Sequence, residues 1–580
     1  RCAEAQRRLS DAAKLQTRAS ELEERYVALN LAVGSEREKL ALLTELSSRL
    51  SRNVSLHVSH APHDPAARDL AAVSILRSKG RVQDAMSASL SALRQRSSPE
   101  DQKLLDQLSD ANAKLAKLIL DEPPRKATPA EYQEQVKQLE EQRENLEVEI
   151  GERSAGFYQR TQPVTLAAVQ ASIPEDAALV EFAVYRPFDP KAPDNRKAYG
   201  EPHYVAYVLR RRGEVQWEEL GEARTIDGAV DALRRALGDP RRHDVRELAR
   251  ALDEKVMRPL RALTGDATQL IVSPDGELNL LPFQALIDEQ NHYLVERYGF
   301  TYLTSGRDLL RMQVTRESRS APLVIANPAF GESPPEQSAK ATAKRAGSKA
   351  GRGSATAARS LSELYFAPLG GTALEAEAIR KLFPDASLLT GEGATKSALK
   401  QMVAPRVLHI ATHGFFLQAP HTVADGGARP ATLAESDNPL LRSGLALAGA
   451  NQRGAAAADD GILTALEASG LNLWGTKLVV LSACDTGLGE VHNGEGVYGL
   501  RRALVSAGAE SLVMSLWPAS DYSTRSLMTS YYRNLKQGLG RGAALRQVQL
   551  DMLRHDPRLH PFYWANFIQS GEWANLDGRR

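Results

Sequence analysis

The sequence predicts an α/β protein, a parallel sheet flanked by helices, preceded by a further α/β half and an all-helical N-terminal region. Three observations carry this. Up to about residue 155, apolar residues recur at helical spacing between charged ones; from about residue 160, runs rich in β-branched and aromatic residues alternate with helical stretches. The later runs are almost continuously apolar, as strands covered on both faces are. The expected organisation is a helical region over 1–155, a first α/β part over 160–315 and a second over 316–580.

Taken in order, Leu15, Ala19, Leu22, Tyr26 and Leu29 alternate spacings of four and three, which puts them on one face of a helix in need of a partner. Asp69 to Ser87 resembles one degenerate copy of a helical-hairpin repeat of about 34 residues, but no period emerges. Thr128-Pro129-Ala130-Glu131 combines an N-cap, a first-turn proline and a capping-box glutamate, so a long helix starts there. Tyr132, Val136, Leu139, Leu146 and Ile150 continue it at heptad positions, with Arg143 inside the seam. The region reads as a scaffold or partner surface, a plain helical cap being the alternative.

Strands are expected at Ala178–Tyr185, His203–Leu209 and Gln269–Ser273, then at Leu323–Ala326, Ser387–Leu389, Arg406–Thr412 and Lys477–Ala483. Helices are expected from Thr372 and Glu375, from Thr395 to Met402, and as a crossover near Ile462 to Leu471. Gly331 to Ser360, rich in Ala, Gly, Ser, Lys and Arg, is a mobile insertion on this reading, and Gln418 to Asp460 is a second long connection.

Composition narrows the function. The 580 residues carry 73 Lys plus Arg against 72 Asp plus Glu, a formal charge of +1, with 25% charged and 42% hydrophobic residues, so net charge implies no polyanion-binding surface. Two cysteines, Cys2 and Cys484, exclude a disulfide framework and any zinc site built on cysteine pairs. A cytoplasmic location is expected, because no run approaches the roughly 18 apolar residues of a membrane span and the first residues lack the apolar stretch of a signal peptide. The chain does not open on Met, so further residues upstream are expected.

Two strand ends carry the chemistry. Val407 to Thr412 is an apolar strand ending in His413-Gly414, and Leu478 to Ala483 is one ending in Cys484. Ligands of open parallel sheets bind beyond the carboxyl ends of strands, where this His and this Cys would face one crevice. A thiol attacks only as thiolate, with an ordinary pKa of about 8.5, and therefore needs a base. Gly414 lets backbone approach a substrate carbonyl, and its N–H with that of Cys484 would form an oxyanion hole. An isolated strand-end Cys or His is ordinarily a buried structural residue; the pairing of the two ends favours chemistry. His409, within the strand and without a following glycine, reads as structural.

These two segments resemble the signature of caspase-like cysteine peptidases, and with their surroundings they resemble the CHAT family, often found behind tetratricopeptide repeats in bacteria. The likeness extends through Leu278–Leu286, Leu408–Phe416, Ser443–Gly449, Asp460–Thr464, Val479–Gly487, Gly494–Leu500 and Ser515–Trp517, over about residues 170–575. It implies a caspase-like parallel sheet, a His413/Cys484 dyad, and peptide-bond hydrolysis without metal or cofactor. The helical repeats expected at the front are eroded or cut off here.

Other signals fail. Gly391 to Ser397 lacks the glycine spacing of a P-loop and reads as a Thr395-capped helix start; Gly538 to Gly542 reads as a turn; no Gly-x-Ser-x-Gly exists. Lys340, Lys344, Arg345, Lys349 and Arg352 lack interleaved aromatics, so no nucleic-acid partner is expected. The reading is a cysteine-type endopeptidase acting on a protein substrate; the rival is a non-catalytic signalling or assembly module. Asp485 and Asp460 would complement a basic substrate side chain, unless Asp485 only satisfies turn amides. A regulatory protein docking on the helical region would order the two long loops and assemble the cleft, and Arg345 and Arg352 would be sites of self-cleavage; the alternative is that both loops are passive insertions.

Overall fold

Helix-favouring sequence dominates the first 158 residues, and in the computed structural model it forms α1 (Leu9–Ala32), α2 (Glu36–Ser55), α3 (Pro65–Ser78), α4 (Arg81–Arg96), α5 (Pro99–Leu120) and α6 (Pro129–Tyr158). The structure describes residues 4, 6, 8–96, 98–120, 128–158, 163–194, 197–314, 316–332, 364–417, 438–452, 460–483, 486–487, 489–518 and 521–579. Cys2, Cys484, Asp485, the basic residues between Lys340 and Arg352, and most of both long insertions lie outside the described residues. Among the described residues, no helix is long and apolar enough to cross a membrane.

Local chemistry sets the helix starts. Ser35 and Glu38 form a capping box for α2, which ends in a single π turn, Leu56–His60. Asp64 caps α3 ahead of Pro65. Thr128 and Glu131 form the expected box for α6, bonding each other's backbone N–H at 2.8 and 3.2 Å. The charge inside the α6 seam is answered within the helix, since Arg143 donates to Glu147 at 3.1 Å, both buried.

After α7 (Leu166–Ser172) come β1 (Ala177–Tyr185), β2 (His203–Leu209), β3 (Gln216–Glu222), α8 (Ala223–Leu237), α9 (Val245–Val256), β4 (Gln269–Ser273) and β5 (Gly299–Tyr302). Next are β6 (Leu323–Pro328), α10 (Gly370–Leu382), β7 (Ser387–Gly391), α11 (Lys396–Gln401), β8 (Val407–Ala411), β9 (His413–Phe416), β10 (Ser443–Ala446), β11 (Ile462–Thr464) and α12 (Ala465–Ala468). The chain closes with β12 (Leu478–Leu481), β13 (Glu490–His492), β14 (Gly496–Tyr498), α13 (Leu500–Ser506), β15 (Ser511–Ser515), α14 (Asp521–Lys536), α15 (Arg541–His555) and β16 (Phe567–Gly571).

Two compact units result. The first comprises Arg1–Ser89, Gly151–Thr315 and Val491–Gly496; the second comprises Leu90–Ile150, Arg316–Glu490 and Val497–Arg580. In the first, strands run in the order β3-β2-β1-β4-β5, with β1 antiparallel to β2 and parallel to β4. Lys79, between α3 and α4, is buried there; its ammonium donates to Glu181, to the Phe182 carbonyl and to the Ser273 carbonyl at 3.0, 3.0 and 2.8 Å. The short segment 491–496 also belongs to this unit. Gly80 N–H donates to the Gly494 carbonyl at 2.7 Å, the Glu495 carboxylate accepts from the first amides of α4, and Gly494 N–H reaches Asp275.

In the second unit the order is β16-β15-β12-β8-β6-β7, parallel except for β16 against β15. Alternate residues of the strands, among them Val324, Val407, Leu478 and Val513, join Ile379, Leu527, Tyr531 and Leu545 of α10, α14 and α15 in one core. The intervening Leu408, Ile410, Val479 and Leu512 are equally buried on the other face. Leu90, Leu93, Leu104, Leu108 and Ile150 form a separate helical cluster in this unit.

The structure revises three expectations. The strand before His413 stops at Ala411 and His413 opens β9, because the chain leaves one sheet for another, made of β11-β10-β9. The crossover helix expected near Ile462 to Leu471 is β11 followed by one helical turn, since Ile462 to Thr464 pair with β10 and the Thr464/Glu467 capping box starts the helix only afterwards. The connection 418–460 holds β10, whose residues are all buried.

Candidate active site

Strands β8 and β12 lie side by side in the second unit, Leu408 opposite Val479 and Ile410 opposite Leu481. Just past β12, Ser482 N–H still donates to the Ile410 carbonyl at 2.9 Å. Thr412, fully buried, gives its hydroxyl proton to the Ala446 carbonyl, and this bond anchors the step from β8 into β9. His413 then pairs with Ala446 and Gly414 with Leu445 across β9 and β10.

The His413 ring, half-buried, packs against both Phe330 and Phe366 at centroid distances of 5.3 and 5.7 Å, the two phenylalanines also touching each other at 6.1 Å. Its Nε2 is 2.8 Å from the Ala367 carbonyl oxygen. A carbonyl only accepts, so Nε2 carries the proton and a neutral ring keeps its lone pair on Nδ1. Asn451, buried, fixes the two phenylalanines: its amide donates to the Gly331 and Phe366 carbonyls at 3.1 and 2.9 Å, and its oxygen accepts from Phe366 N–H at 3.1 Å. The sequence points to neither phenylalanine, nor the Ala367 carbonyl, nor Asn451; the available signal was a polar residue two positions after the Ser443–Gly449 run.

Cys484 and Asp485 lie outside the described residues, but both flanks are anchored. The Ala483 carbonyl accepts from the Ser515 hydroxyl and from Thr486 Oγ1, and Gly487 N–H donates to the Ser515 carbonyl at 2.8 Å. A Cβ on Gly487 would stand 2.9 Å from Leu516 Cδ2 and 3.0 Å from the Ser515 oxygen, so a larger residue here would push on β15. Arg442, just before β10, pairs with Glu490 at the start of β13.

The other sequence candidate, Asp460, is engaged internally. It accepts from the Lys396 ammonium at 2.6 Å and from Ile462 N–H at 3.0 Å, and Lys396 also meets Glu467 at 3.1 Å. Burial pulls the Lys396 pKa down, but Glu467 and Asp460 outweigh it and hold the ammonium above its ordinary range. Thr395 caps α11 as expected, accepting from Ala398 N–H. His409 is structural, as expected: fully buried, it lies 3.0 Å from the Tyr532 hydroxyl and 3.1 Å from Glu375.

Comparison with known proteins adds four similarities. The model of the CHAT domain matches residues 246–572, more than half of the chain. Tetratricopeptide repeat protein 28 of Homo sapiens is 27% identical over 326 residues, which is 54% of this chain and 12% of that protein, so the chain spans about an eighth of the relative's length. Among solved structures, the Arg-specific cysteine proteinase gingipain R is similar at 10% identity and TM-score 0.32, covering 60% of this chain and 74% of that one. The Saccharomyces cerevisiae separase–securin complex is similar at 9% identity and TM-score 0.37, covering 97% and 40%.

Proposed function

The chain belongs to the CHAT-domain family, and from that premise we propose that it is a cysteine endopeptidase with Cys484 as nucleophile and His413 as general base. The observation that supports this best is the imidazole whose Nε2 donates to the Ala367 carbonyl, a tautomer that puts the ring's basic lone pair on Nδ1, in the strand that follows β8. The neighbouring parallel strand β12 leads within three residues to Cys484. On this reading His413 Nδ1 takes the thiol proton, the thiolate adds to the scissile carbonyl, and the Gly414 and Cys484 amides stabilise the oxyanion. His413 returns the proton to the leaving amine, and water hydrolyses the thioester. With Asp460 held by Lys396, selection of a basic substrate side chain falls to Asp485. Docking of a protein on the helical region is the proposed regulation.

The test is labelling by an irreversible thiol-reactive peptide probe, followed by cleavage of a peptide library. Wild type is expected to be labelled at Cys484 and to cleave; Cys484→Ala abolishes both, His413→Ala lowers the labelling rate near neutral pH, and Asp485→Asn weakens the preference for basic peptides. Full cleavage by Cys484→Ala sinks the assignment. A folded wild-type chain that neither labels nor cleaves makes it a binding module.

A further inference from the structure

Helix α1 is apolar on two sides. Ala12, Ala13, Val27 and Leu31 pack into the first unit, while Leu15, Leu22, Tyr26 and Leu29 face solvent at 55–64% exposure, with Val33 following at 37%. With Ala19, also exposed, the helical residues among these occupy alternating d and a positions of a heptad, 15, 19, 22, 26 and 29, and the extended C-cap Val33 follows them. A large apolar seam left in water marks a helix-binding surface. Arg18 and Arg25 stand at consecutive g positions beside it, both exposed, and neither makes an ion pair or hydrogen bond among the described residues. Asp11, one heptad earlier, is paired with Arg8 at 3.5 Å.

We propose that this face docks an amphipathic helix of a partner protein, one with a leucine-type seam flanked by two acidic residues seven positions apart that meet Arg18 and Arg25. The charges disfavour a second copy of this chain. Antiparallel pairing brings g positions together and sets these arginines against each other. Parallel pairing would direct Arg18 to Glu23 of the second copy, but Glu23 is already held by Arg49 at 2.5 Å and largely buried. The proposal stands independently of peptidase activity.

Two synthetic peptides of about three heptads test it, long enough to be helical when bound and identical except for Glu or Lys at the flanking positions. Binding to the full chain is read by fluorescence anisotropy, and oligomeric state by sedimentation. The Glu peptide should bind, and the Lys peptide should bind at least about tenfold more weakly. Leu22→Asp should abolish binding, and the surface double variant Arg18→Glu/Arg25→Glu should invert the preference while circular dichroism stays unchanged. Equal binding of both peptides, binding of neither, or a dimer of the full chain that Leu22→Asp dissociates would each overturn the proposal.

Discussion

His57 stands in the π turn after α2 with its ring fully buried, Nδ1 2.7 Å from the Tyr207 hydroxyl and its edge to Trp217 at a centroid distance of 4.5 Å. Burial first, and then the Arg68 guanidinium, pull its pKa from 6.5 to about 4. Between those values the unfolded chain binds a proton that the folded ring refuses, so stability is lost as the pH is lowered from 6.5 to about 4, by on the order of 3 kcal/mol. In urea titrations at pH 7, 5 and 4, His57→Phe should therefore lose correspondingly less on acidification than wild type; equal losses would show that the ring does not titrate this way. Legibility also divides at this scale. His413 is readable because a His-Gly pair after an apolar run is a local pattern. Asn451 is not, because its amide serves the backbones of Gly331 and Phe366, 120 and 85 residues away.

Strands β8 and β9 show where pattern reading reaches its limit between elements. Val407 to Ala411 is apolar but for His409, and hydropathy cannot mark the point at which the chain leaves one sheet for another. The mark is a single hydroxyl, that of Thr412 on the Ala446 carbonyl. Thr412→Val keeps the shape but removes that donor from a buried oxygen, at a cost of about 1–3 kcal/mol. A lowered melting temperature with unchanged helix content is expected, and an unshifted melt would show that the step between the sheets does not depend on this bond. The long buried strands β1, β2 and β4 were legible to within a residue because β-branched and aromatic residues crowd them. Strand β11 and helix α12 were not: three residues and one turn hold too few periods to separate a strand from a helix, and only the pairing of Ile462 with Ala446 shows that the chain is extended before the Thr464/Glu467 box.

At the scale of the chain, each unit borrows segments from distant sequence. The second unit takes α5 from near the N-terminus, with Leu104 and Leu108 packed on Leu90, Leu93 and Ile150. It also takes Arg94, whose guanidinium donates to the Ala507 and Gly470 carbonyls at 2.8 and 3.0 Å. A fragment of residues 316–580 alone should leave those carbonyls and the apolar faces they border uncovered, and should recover a cooperative melt when residues 90–150 are supplied in trans. A fragment that melts as sharply by itself as the intact chain would contradict this. The first unit has the reverse dependence, on segment 491–496, whose Glu495 carboxylate meets the first amides of α4. That places a delay in biosynthesis. Helix α4 and its neighbours leave the ribosome early, but their acidic cap is translated about 180 residues after the rest of the unit. At about 5–20 residues per second this is a wait of roughly 10–40 s, during which nascent helices lack one of their anchors and are open to chaperones.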